Sequence, residues 1–251
     1  MHNMAIDIKG LRKSYCGREV LRAVNLGVAA GEYAGLIGAN GAGKTTLMKC
    51  LLDFCDLDDG SIRIFATHHR RPEARRRLAF LPERFSPPYF LSGSEFLTYT
   101  AALHQAAPAE DEIARLCEAL ELEASALRQP VRKYSQGMGQ KLGLVACFLT
   151  RPDLLILDEP LNGLDPRTRA AVRNHLASLK QNGLTLFYST HLLDDVQTLC
   201  DQVIILHAGE VRYAGSVPDC CTTYRCATLE QAYLASSESL RHAGKAGKPA
   251  G

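Results

Sequence analysis

The stretch Gly38-Ala39-Asn40-Gly41-Ala42-Gly43-Lys44-Thr45 restricts what this chain can fold into more than any other. It satisfies the pattern G-x-x-x-x-G-K-[ST] at every fixed position. Glycines at 38, 41 and 43 let the backbone turn tightly, so that consecutive N–H groups face one concavity and bind phosphate oxygens. Lys44 adds a point charge for β- and γ-phosphates, and Thr45 offers a hydroxyl to Mg²⁺. The flanks agree. Tyr33-Ala34-Gly35-Leu36-Ile37 reads as a short buried strand, and Leu47, Met48, Leu51 and Leu52 recur with helical spacing. Strand, glycine loop and helix form the context this chemistry needs, and the helix N-terminus adds its dipole to the phosphate site. The expected nucleotide-binding run is therefore Gly38, Ala39, Asn40, Gly41, Ala42, Gly43, Lys44, Thr45 and Thr46.

A chain of 251 residues can hold one large domain with a real core. The net charge of +2 argues against nucleic acid as the main partner, because a duplex binder concentrates basic residues on one face. Nine cysteines are scattered with no CxxC pair, which supports neither a zinc ribbon nor a thioredoxin-type motif. Met1-His2-Asn3-Met4 leads straight into a strand-like segment, so no secretory leader is expected and reduced thiols are, including Cys220, Cys221 and Cys226. No apolar run approaches the roughly 18 residues that span a bilayer. If the protein acts on a membrane, another chain must supply the membrane part.

Taken in order, residues 5–30 alternate as antiparallel strands, punctuated by Gly17 and Gly31. Tyr15 is either a half-buried strand aromatic or a flat surface for a purine, and position alone does not choose. Asp58-Asp59-Gly60 reads as a turn and Ser61 to Phe65 as a strand. The run from Arg70 to Arg77 reads as the solvated face of a short helix. Leu78 to Glu83 is a strand ending at an acidic residue. A helical block follows from about Ser92 to Leu149, with Ser92 and Glu95 as a capping box. Its third helix starts at Ser135, a natural N-cap that can also face an anion. Leu154-Leu155-Ile156-Leu157 is a continuous apolar run, as in a strand buried on both faces. It delivers Asp158, the candidate Mg²⁺ anchor, and Glu159, the candidate base for an attacking water. His191 follows another buried strand, Thr185 to Ser189, and so occupies the same end of the sheet.

These motifs, in this order, resemble an ATP-binding-cassette (ABC) ATPase subunit over about Ile6 to Leu234. Glu83 stands where that family usually has the Q-loop glutamine. Tyr134-Ser135-Gln136-Gly137-Met138 is similar to the signature, usually Leu-Ser-Gly-Gly-Gln. Asn162-Gly163-Leu164-Asp165 resembles the D-loop, and His191 the switch histidine. The Leu81-Pro82-Glu83 string and the ending Thr228 to Leu234 are similar to the bacterial multidrug, polysaccharide and copper-processing export branch.

The resemblance implies an α/β P-loop NTPase core with a mostly parallel sheet, an N-terminal antiparallel β subdomain and an inserted helical subdomain at about 90–150. A single domain would cover 1–235, with 236–251 a disordered tail. It also implies ATP and Mg²⁺ as ligands, and catalysis by Glu159 and His191. Thr45, Asp158 and Glu83 would stand near the metal, and Tyr15 would stack on adenine. Ser135, Gln136 and Gly137 would act in trans on the ATP of a second subunit. The expected partners are that subunit, with a homodimer as the simplest case, and a separate membrane permease, which would hold the chain on the cytoplasmic membrane face. The alternative is a soluble ABC ATPase acting on nucleic acid or ribosomes.

Overall fold

The computed structural model describes residues 3–243, and side chains through 237. Strands β1 (Met4–Tyr15) and β2 (Arg18–Ala29) form a hairpin. Its two turn residues, Cys16 and Gly17, both have positive φ, as a two-residue type I′ turn requires. Strand β3 (Tyr33–Ile37) is buried along its whole length and leads through the glycine loop into α1 (Lys44–Leu51). β4 (Asp59–Ile64) and the short β5 (Thr67–His68) complete an antiparallel sheet in the order β2-β1-β4-β5. Asp59 and Gly60, expected in a turn, lie inside β4, where pairing with β1 overrides their turn preference.

The basic run contains one helical turn, α2 (Pro72–Arg75). Its guanidinium groups meet acids: Arg70 meets Asp56 at 2.6 Å, Arg75 meets Asp53 at 3.3 Å, and Arg77 meets Asp153 at 2.6 Å. β6 (Leu78–Leu81) follows, and then the helical part. This comprises α3 (Gly93–Leu103), α4 (Glu110–Ala119), α5 (Ala124–Leu127) and α6 (Gln136–Leu149). The Ser92–Glu95 capping box forms at α3 as its sequence requires.

β7 (Leu154–Asp158), α7 (Pro166–Gln181), β8 (Thr185–Thr190), α8 (Leu193–Leu199), β9 (Gln202–His207) and β10 (Glu210–Gly215) complete the larger sheet. Its order is β10-β9-β3-β8-β7-β6, parallel except for the β9–β10 hairpin. α9 (Val217–Thr223) and α10 (Leu229–Ala243) close the chain. α10 runs into the stretch expected to be a disordered tail, with Leu229 and Ala232 fully buried against β9 and α8. Residues 244–251 of that expectation lie outside the described residues.

One apolar core joins the helical part to the sheet. Phe96, Leu97, Leu120 and Leu142 pack in the same cluster as Leu155, Leu157 and Leu186. A second cluster on the other sheet face joins Ile6, Ile8 and Leu21 of the antiparallel sheet to Leu47 and Leu51 of α1. The glycine loop is therefore held between two packed layers. No helix of the described residues is long and apolar enough to cross a membrane. All nine cysteines are free thiols.

Tyr33 is fully buried, and its hydroxyl donates to the Leu176 carbonyl at 2.7 Å, fixing α7 to β3. Tyr33→Phe removes this bond, while the carbonyl keeps its place in the helical ladder of α7. We expect a loss of about 0.5–1.5 kcal/mol in urea unfolding at unchanged m-value.

Candidate nucleotide site

Four parallel strands end side by side at one edge of the sheet. Their register aligns Ile37 with Thr190 and Asp158 with Ser189. The glycine loop, Asp158 and Glu159, His191 and Glu83 thus emerge from β3, β7, β8 and β6 onto one cleft of about 910 Å³. Ligands gather at the C-terminal edge of open parallel sheets for this reason.

The loop's glycines are forced by contact as well as conformation. A Cβ on Gly38 would lie 2.4 Å from the Leu206 carbonyl oxygen. Gly43 has φ +110, and a Cβ there would press on Leu21 and the Val20 carbonyl. The β9–β10 turn grips the loop: Gly209 N–H donates to the Ala42 carbonyl at 3.0 Å, and Arg22 N–H donates to Gly209 at 2.8 Å.

Lys44 is buried to 7% exposure, with its ammonium donating to the Gly38 carbonyl at 2.7 Å. It also lies 3.7 Å from the Glu159 carboxylate, which is equally buried. The other oxygen of Glu159 meets His191 Nδ1 at 2.8 Å. One carboxylate is thus held between an ammonium and an imidazole. Glu159 has φ +48, a strained backbone for a non-glycine residue, and such strain is found where a side chain must be aimed. Its N–H donates to Ser189 Oγ at 3.0 Å, while that hydroxyl donates to Asp158. Ser189 orients both carboxylates. Its place just before Thr190-His191 at a strand's end was the only signal for it in the sequence.

Thr45 Oγ1 donates to Asp158 Oδ2 at 3.1 Å, and Glu83 lines the same cleft. These oxygen donors fit Mg²⁺, which takes one or two protein ligands and completes its shell with phosphate and water. Among the described residues no three His, Cys, Asp or Glu side chains form a complete metal cage.

Two expected groups lie elsewhere. Tyr15 does not line the cleft: it is 44% exposed, and its ring rests under the Lys13 ammonium at 5.2 Å. Its phenol is pushed up to about 12, chiefly by the neighbouring Cys55 sulfur and then by burial. Ser135, Gln136 and Gly137 are also outside the cleft, and the first two are exposed. Ser135 caps α6 by accepting from Met138 N–H at 3.2 Å. Ala42 is buried behind the loop, whereas Gly38–Gly41, Gly43 and Thr46 line the cleft.

The cleft also contains residues that carried no motif signal. Arg18, Glu19 and Val20 enter from the β1–β2 hairpin, and Tyr233 reaches over from α10. Burial raises the Tyr233 phenol, opposed by a hydrogen bond with the Ala39 backbone.

The ABC transporter family model matches residues 21–162. The chain belongs to this family. It is an ABC ATPase domain, the transporter's ATP-binding part. It is 36% identical to an ABC transporter ATP-binding protein of Synechocystis over 80% of its own length, and that match spans 58% of the relative. It is 34% identical to the bacitracin transport ATP-binding protein BcrA of Enterococcus faecalis, over 82% of this chain and 67% of BcrA. A solved ATP-binding subunit of an ABC transporter superimposes with a TM-score of 0.85 at 32% identity, covering 92% of this chain and 99% of that one.

Ser189→Ala removes the hydroxyl shared by Asp158 and Glu159 without touching the glycine loop. We expect hydrolysis to fall about tenfold, the scale of one hydrogen bond to a charged group, with ATP affinity changed less than threefold. Steady-state rates beside equilibrium ATP titration check this.

Proposed function

We propose that this chain is the ATP-hydrolysing motor of an export-type ABC transporter, working as a pair of cassettes on a separate membrane permease. The observation that carries this reading is the Glu159 carboxylate, buried at the sheet edge between Lys44 and His191. A γ-phosphate entering the glycine loop would draw the Lys44 ammonium toward itself. Glu159 would then be free to accept a proton from water, still oriented by His191. Asp158, Thr45 and Glu83 would hold Mg²⁺, which offsets charge on the phosphates. ATP would stack on Tyr15 once that ring leaves Lys13.

The exposed signature supports pairing. Ser135 and Gly137 do not line their own cleft and stand at the start of a 14-residue helix whose dipole favours an anion. Two copies set head to tail would each complete the other's γ-phosphate site, so ATP would hold the pair together and its hydrolysis release it. The permease reading draws on exposed aromatics near the Glu83 loop: Tyr89 and Phe90 at 69% and 68%, and Phe54 at 65%. A soluble surface rarely groups such side chains unless another chain covers them. Transport is carried over from relatives such as BcrA, named for bacitracin transport; export rests on the sequence's likeness to the export branch, and a place on the cytoplasmic membrane face follows from the permease.

Glu159→Gln should retain ATP binding and lower hydrolysis by about 10²–10⁴-fold, the scale of a general base. The same variant should run as a dimer in gel filtration with ATP and as a monomer without it. Unchanged turnover would remove Glu159 as the base. Lys44→Ala should abolish the stabilisation by ATP, about 2.7 kcal/mol at 100 times the dissociation constant, read as a loss of Tm shift. A pull-down from detergent-solubilised host membranes should bring a stoichiometric polytopic protein. Ribosomal or DNA-bound partners alone would replace the permease reading.

A further inference from the structure

We infer that Cys50 and Cys55 are a thiol–disulfide pair that controls how readily Tyr15 reaches the nucleotide. The pairing of the thiols stands on geometry alone, whereas its consequence rests on the ATP-binding reading above. Cys50 lies on the inner face of α1, fully buried. The chain leaves α1 through Leu52, turns at Asp53 with φ +61, and is pinned by Phe54 N–H on the Lys49 carbonyl at 2.8 Å. This turn brings Cys55 back over the helix end, where its sulfur lies 3.5 Å from that of Cys50. A disulfide bond is about 2.0 Å long, so the sulfurs close by about 1.5 Å, within the reach of side-chain rotation.

The two thiols differ in access. Burial pushes Cys50 up to about 12, so it is not the first of the two thiols to react. Cys55 is partly exposed and is the sulfur that an outside reagent meets first. The oxidant class is a small-molecule disulfide such as oxidised glutathione. The Cys55 thiolate attacks one sulfur of that disulfide and expels the first small thiolate. Cys50 then passes its proton to the released small thiolate as its sulfur attacks the Cys55 sulfur of the mixed disulfide, expelling the second. Two protein thiols and one small disulfide become one protein disulfide and two small thiols, which carry off both protons.

Cys55 stands three residues before Asp58, the carboxylate that holds the backbone and ammonium beside Tyr15. The raised Tyr15 phenol, with Cys55 as its first cause, agrees with that placement. Tyr15 rests under Lys13, which pairs with Asp58 at 3.1 Å, and Asp58 accepts from Ser14 N–H at 2.6 Å. Residues 13–15 and 50–58 are one cluster. Drawing Cys55 toward Cys50 pulls on the segment that carries Asp58, and so loosens the Asp58–Lys13 pair that keeps the ammonium over the ring. The ring is then freer to leave Lys13.

The test uses the full chain equilibrated across ratios of oxidised to reduced glutathione, acid-quenched, alkylated and peptide-mapped, with ATP affinity measured by calorimetry at each end. A Cys50–Cys55 bridge is expected, with an ATP dissociation constant about fivefold lower in the bridged form, the upper scale of an exposed ion pair. Cys55→Ser should remove the bridge and the affinity change while keeping the reduced form's affinity. Tyr15→Ala should keep the bridge and lose the change. A bridge mapped to Cys220, Cys221 or Cys226 instead, or a Cys50–Cys55 bridge with unchanged affinity in the wild-type chain, would overturn the proposal. A chain that forms this bridge yet binds no ATP in either form would remove the ATP-binding reading and leave only the thiol pair.

Discussion

The parallel register of β3, β8, β7 and β6 is the constraint on which the site depends. Pairing Ile37 with Thr190 and Asp158 with Ser189 brings four chain segments, distant in sequence, to one edge. A one-residue slip in any strand would turn its terminal side chain to the opposite face. The register is locked by burial on both faces: β3, β7 and β8 have no exposed residue. Apolar packing thus sets where the charges stand. The charges in turn need that packing, because Lys44 and Glu159 at 3.7 Å are buried enough for their attraction to escape most solvent screening. Removing one partner would strand the other in the core, which costs more than the pair contributes.

The core and the phosphate side of the site could be read in the sequence because each element there follows a local rule. Continuous apolar runs gave β3, β7 and β8, and the glycine spacing gave the loop. Ser92 with Glu95 gave the start of α3, and Ser135 that of α6. Local rules failed where tertiary contact decides. Asp58-Asp59-Gly60 looks like a turn, yet β1 recruits Asp59 and Gly60 into a strand. The helix from Leu229 to Ala243 was missed because its apolar residues are spaced among serines and polar groups, and only docking on β9 and α8 buries them. For the same reason Tyr233 could not be placed in the cleft from sequence.

Tyr15 shows the limit of motif reasoning on the base side. Its position in the chain matches an adenine platform, but its ring settles under the Lys13 ammonium. A motif fixes which backbone segment borders a site. A side chain's resting rotamer depends on its neighbours: here Lys13 covers the ring and is itself held by Asp58, a residue outside the hairpin that leaves no pattern in the hairpin's own sequence.

The helix that starts at Ser135 and the segment that carries Glu159 are joined by direct contacts, and this bears on how a paired cassette would communicate. Gln140, buried on α6, donates from Nε2 to the Pro160 carbonyl at 3.1 Å, directly after Glu159. A Cβ on Gly137 would lie 3.3 Å from the Gly163 carbonyl, so the start of α6 sits against the loop following β7. Arg169 secures that loop from α7 by donating to the Leu164 carbonyl at 3.0 Å. An anion arriving at Ser135 from a partner subunit would press on α6, and α6 is hydrogen-bonded to the segment that aims Glu159. Binding in trans and hydrolysis in cis would then be coupled by two short contacts. Gln136, whose side chain packs over Gly163, stands at that junction. Its departure from the common glycine therefore falls where the two half-sites of a pair would exchange force.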